Sequence, residues 1–93
     1  MLENLIKLGE ALKGEVNQSM DKNYLGSVNF EIWVSKSVLY LEKEYKNSLV
    51  TEKIKSHYKE MDSSQYYVFY QMLLGSLKAL QDFEQKEIPV IEL

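Results

Sequence analysis

The sequence predicts an all-α protein, a compact four-helix bundle over residues 1–87 with a short extended C-terminal tail at 88–93. Three observations predict it. Apolar residues recur at steps of three and four through four separate stretches, the period that lines one side of an α-helix. The stretches are joined by short segments rich in Asn, Ser, Asp and Gly, residues that cap helices and make turns. The one Pro, Pro89, stands where the last periodic stretch runs out. A chain of 93 residues, 45% apolar and 27% charged, makes a single domain of ordinary globular composition.

Leu5, Leu8, Leu12, Val16 and Met20 place the first helix over about 2–20. Gly9 and Gly14 weaken it, because each costs about 1 kcal/mol against Ala in a helix interior. Residues 21–29 then form a connection, with Leu25 and Val28 turned inward. The second helix starts near Asn29, a good N-cap, with Glu31 in the first turn where a negative charge suits the helix dipole. Its stripe is Phe30, Trp33, Val34, Val38, Leu41 and Tyr45, and Ile32 and Leu39 widen it, so this helix is expected to touch neighbours on more than one side. Asn47 and Ser48 end it and can cap a shorter third helix carrying Leu49, Ile54, Tyr58 and Met61. Asp62-Ser63-Ser64-Gln65 offers a capping box for the fourth helix, whose stripe of Tyr66, Phe69, Tyr70, Leu73, Leu77 and Leu80, with Leu74 beside it, is the strongest in the chain. Helices two and four are expected to form the central pair. Pro89 disfavours the helical conformation at Ile88 and lacks a donor of its own, so the tail is read as extended.

Composition excludes much reusable chemistry. There is no Arg and no Cys, His57 is the single histidine, and the four glycines fall in no phosphate-cradling pattern. Without Cys, neither disulfides nor thiolate metal sites can form. His57 alone cannot supply the three or four convergent ligands a metal needs, so no metal, no cofactor and no catalytic residue is expected. Ser56 and Lys59 reproduce the S-x-x-K spacing that some acyl-transfer enzymes use, but the companion motifs and any oxyanion-hole strand are missing. A solvated helical face explains them better. The N-terminal segment carries Glu3 and Glu10 among its leucines, which is unlike a signal peptide, and no stretch has the length of a membrane span; a cytoplasmic protein is expected.

Two groups of side chains remain as candidates. Net charge is -3, distributed as -2 over residues 1–35, +3 over 36–59 and -4 over 60–93. The middle segment holds Lys43, Lys46, Lys53, Lys55 and Lys59, a possible anion-binding face for a nucleic-acid-associated protein. Against it, Arg, which makes the bidentate contact to guanine, is absent, and Glu42, Glu44, Glu52 and Glu60 interleave with the lysines in pairs such as Glu42 with Lys46. The second group is aromatic and apolar. Tyr66, Tyr67, Phe69 and Tyr70 span a full helical turn, so one Tyr at least should face solvent, where a rigid ring suits a protein interface. Ile88, Val90, Ile91 and Leu93 would be an apolar liability if left bare, and need a groove of the bundle, a second copy or a partner to cover them.

The run from Trp33 to Glu44, then Asn47-Ser48-Leu49, and later Leu73 to Leu80 with Phe83-Glu84, resembles a small helical domain found in uncharacterised bacterial proteins, some linked to phage defence. The likeness covers about residues 1–85. It implies a stand-alone adaptor or inhibitor, encoded by a phage or mobile element, and carries no catalytic residues. The expected function is therefore non-enzymatic protein binding through Tyr66, Tyr67, Tyr70 and the apolar tail, to an unidentified protein or as a homodimer. The lysine face is the alternative.

Overall fold

A computed structural model describes the backbone of residues 1–14, 28–60, 62 and 65–91, and side chains as far as Glu84. Among these residues four helices account for the regular structure: α1, Leu2–Ala11; α2, Val28–Glu44; α3, Leu49–Glu60; and α4, Tyr66–Ile91. Each packs along its neighbour in the order α1, α2, α3, α4, and α4 closes back on α1. The all-α bundle is as the periodicity predicts.

The core is built from one stripe per helix. On α2 it is Phe30, Trp33, Val34, Ser37, Val38 and Leu41, an uninterrupted three-four pattern in which Ser37 fills a place the apolar spacing left open. On α4 it is Phe69, Tyr70, Leu73, Leu77 and Leu80. Thr51 and Ile54 come from α3, and Leu2, Leu5 and Ile6 from α1 with Leu12 just beyond its end. The hydroxyls of Ser37 and Thr51 are buried with no hydrogen-bond partner. Ile32 and Leu39 lie off the α2 stripe and are exposed, so the breadth of apolar surface on this helix does not translate into contacts all round it.

The expectation of α2 and α4 as the central pair does not hold as close packing, because the most extensive helix contact is between α1 and α4. α2 and α4 are diagonal partners that meet through long aromatic side chains. Phe30 lies 5.6 Å from Tyr66 and Trp33 5.4 Å from Tyr70 between ring centroids, the tilted geometry that aromatic pairs favour. Because the pairing advances in the same direction along both chains, α2 and α4 run parallel. α1 runs antiparallel to α2, with Gly9 beside Trp33 and Met1 beside the Tyr40 to Glu44 end.

Two boundaries differ from the sequence expectation. The first helix stops at Ala11 instead of continuing to Met20, and its buried stripe passes through Gly9 while Leu8 turns out to solvent. The Leu12 N–H reaches back only three residues, to the Gly9 carbonyl at 3.2 Å, which tightens the final turn. Leucine spacing alone counts Gly9 as a gap, whereas its missing side chain is what lets Trp33 lie on the helix. Lys13 and Gly14 are helical again, and the expectations for Val16, Met20 and Leu25 lie outside the described residues.

At the other end, α4 runs through Pro89 to Ile91, so residues 88–91 are helical and not an extended tail. Gln85, Lys86 and Glu87 are strong helix formers, and a helix already propagating carries on past Pro89 although it loses the bond to the Gln85 carbonyl and crowds the proline ring against it. Leu93 lies outside the described residues. Two of the expected caps form: Ser48 Oγ accepts from the Val50 N–H at the start of α3, and Gln65 Oε1 accepts from the Asp62 N–H before α4. Asn29 is not a cap, because α2 already begins at Val28.

Candidate functional site

The tyrosines do not assemble into one exposed patch. Tyr70 is only 5% exposed, packs at a tilt against Trp33, and donates its hydroxyl to the Gly9 carbonyl at 2.7 Å. Burial first, and then the Glu10 carboxylate and Tyr67, push its hydroxyl above the ordinary 10.0. Tyr66 is half-buried against Phe30. Tyr67, also half-buried, accepts from Gln71 Nε2 at 3.1 Å. Tyr70 is thus a core residue, and Tyr66 and Tyr67 offer only part of their rings. The side chains of Ile88, Val90, Ile91 and Leu93 lie outside the described residues.

The lysines are also divided. Lys55 pairs with Glu42 at 3.1 Å, tying α3 to α2 in place of the Glu42 to Lys46 pair within the sequence. Lys55 and Lys59 edge a small polar hollow together with Glu52, Ser56 and Glu60, so carboxylates stand among them. Lys46 and Lys53 are exposed. Lys43 faces elsewhere, into the space between α1 and α2. His57 is exposed beside a shallow hollow that it shares with Glu60, Val68 and Met72. Among the described residues no three His, Asp or Glu side chains converge where a metal could sit.

The feature the sequence did not single out is the groove between α1 and α2. It encloses about 750 Å³ and is bounded by Met1, Asn4, Leu5, Lys7 and Leu8 on one wall and by Lys36, Leu39, Tyr40, Lys43 and Glu44 on the other. Leu39 is 65% exposed and Leu8 44%, large apolar side chains left in solvent on facing helices. The Tyr40 hydroxyl is pushed up from 10.0 by burial, with the Glu84 and Glu44 carboxylates adding to it. Sequence reading spent Leu8 and Leu39 on the core, as it did Ile32 and Val28, which are exposed as well. The available signal was positional: Leu39 sits off the stripe defined by Trp33, Ser37 and Leu41, and an apolar residue off the stripe of a bundle helix points outward.

Opposite this groove, Lys78 on α4 meets Glu10 on α1 at 2.6 Å, and the hydrogen bond and charge of the ammonium hold the Glu10 carboxyl below its ordinary 4.5. α1 is therefore fastened to α4 on one side and open on the other. Comparison with known protein families, with curated proteins and with solved structures finds no match. No helix among the described residues is long and apolar enough to cross a membrane.

Proposed function

We propose that this chain is a non-enzymatic, cytoplasmic protein-binding module, acting as an adaptor or inhibitor, in the conflict between bacteria and phages or mobile elements that its resemblance implies. One observation carries the reading: an open apolar groove between α1 and α2, with Leu8 and Leu39 in solvent on its two walls. Exposed apolar side chains facing each other across a groove mark an interaction surface more often than scattered single ones do. Tyr66 and Tyr67 form a smaller second patch, and the groove now takes first place over them.

The test is capture from a bacterial lysate with the immobilised chain, in parallel with a Leu8→Glu, Leu39→Glu double variant. A specific protein should be retained by the wild type and lost by the variant. Retention by both would remove the groove from the reading. The nucleic-acid alternative has less support, because Lys55 is already engaged by Glu42 and acids stand among the other lysines of α3. Duplex DNA should bind no tighter than about 10 μM at physiological salt, a level typical of sequence-independent contact.

A further inference from the structure

We propose that the occupant of the α1/α2 groove is an acidic amphipathic helix of a partner protein, an inference that rests on the protein-binding reading above. The apolar lining of the groove comes from Leu5, Leu8 and Leu39, and its form is an open channel between two antiparallel helices. That form receives a helix laid on its apolar face, with anchors at i, i+3 or i+4, and i+7.

The rim selects the charge of that helix. Lys36 and Lys43 stand on α2 with Leu39 between them, and both are exposed. Seven residues separate them, two helical turns, or about 10.5 Å along the axis. Neither has an ion-pair partner among the described residues, whereas Lys55 and Lys78 are both paired across helices. On the facing wall Lys7 holds only an exposed pair with Glu3 at 3.4 Å, which a competing carboxylate can exchange. Among the described residues Glu44 is the one carboxylate lining the groove, with Glu84 acting on Tyr40 from α4, so three lysines gather here on a chain whose net charge is -3.

The spacing separates two kinds of anion. A fatty acid or other amphiphile presents one anionic head and can satisfy one lysine. Two lysines about 10.5 Å apart with a leucine between them match carboxylates seven residues apart on a helix that carries an apolar anchor between them. A basic or neutral helix would leave both ammoniums facing like charge or nothing.

The experiment uses the full chain and a fluorescein-labelled synthetic helix carrying leucines at i, i+3 and i+7 flanked by glutamates, with a second peptide in which lysines replace the glutamates. Anisotropy should show binding of the acidic peptide only. Lys36→Glu with Lys43→Glu should weaken it about tenfold and admit the basic peptide instead. Circular dichroism checks that the variants keep their helices, which two exposed positions permit.

Equal binding of both peptides, or no loss in the lysine variant, overturns the acidic assignment. If the Leu8→Glu, Leu39→Glu variant still abolishes that binding, the protein-binding reading survives it. Dodecanoate binding where neither peptide binds overturns both, in favour of a single-headed ligand. Sedimentation showing a dimer that the lysine variant dissociates overturns the proposal in favour of a second copy. Binding of neither peptide, with no dimer and no dodecanoate binding, also overturns it, and the lysate capture then decides the broader reading separately.

Discussion

At Gly9 the backbone of α1 comes so close to Trp33 that a methyl group has no room: a Cβ there would lie 2.7 Å from the indole Cζ2 and 2.9 Å from Leu74 Cδ1. The indole cannot easily yield, because its N–H donates to the Leu5 carbonyl at 2.8 Å. Gly9→Ala gains about 1 kcal/mol in helix propensity but forces overpacking that costs about 1–3 kcal/mol. The collision with a fixed ring decides the sign, so chemical denaturation should show a net loss of up to about 2 kcal/mol. A stabilised variant would mean that α1 shifts freely. The Tyr70 hydroxyl donates to the carbonyl of this same residue, which also accepts from Leu12, so Tyr70→Phe leaves no orphan acceptor and should cost only about 1 kcal/mol. The Tyr70 ionisation is raised in the folded state, so its contribution is complete below pH 10.0 and is lost as pH rises through the folded value. Thermal melts across the alkaline range should therefore fall less steeply for Tyr70→Phe than for the wild type, and parallel curves would exclude Tyr70 as the source.

Gly75, on α4, presents the opposite case to Gly9. It is exposed, and a Cβ there meets nothing within 4 Å. Gly75→Ala should stabilise the fold by about 0.5–1 kcal/mol through propensity and a less disordered unfolded chain; a destabilised variant, measured by the same denaturation, would reveal a contact at this surface. Glycine identity alone does not distinguish the two positions, and this marks where sequence reading stops. The existence of the four helices, the Ser48 and Gln65 caps and most of the α2 and α4 stripes were legible, because period and cap chemistry are local properties. The end of α1 was not, because it turns on which face of that helix meets Trp33. Ser37 was missed because a small polar residue in a stripe looks like an interruption, although a tight helix contact accommodates it. The groove was missed for a related reason: Leu8 and Leu39 fit plausible stripes, and only the relative rotation of α1 and α2 turns them outward. Pro89 was read as a stop signal on its residue type, while the helix formers before it carry α4 onward.

For the molecule as a whole, α1 is the shortest of the four described helices, and its attachments are uneven. Two hydrogen bonds from large rings, Trp33 to Leu5 and Tyr70 to Gly9, and the Glu10 to Lys78 pair fasten it to α2 and α4, while its other flank borders the groove. Any partner laid in that groove would touch α1 and α2 together and so bear on how firmly α1 is seated. The chain has a single tryptophan, whose indole proton is held by a carbonyl of that helix. That proton becomes a clock for the detachment of α1. Local opening precedes global unfolding most readily at a short element with one flank uncovered, so the indole proton should exchange with deuterium faster than the amides of Leu41 and Leu73, which are buried on the longer helices. A ligand seated in the groove should slow the indole proton selectively, giving a binding signal with no label attached. Exchange of all three at one rate, with and without ligand, would instead show α1 leaving only when the whole bundle unfolds.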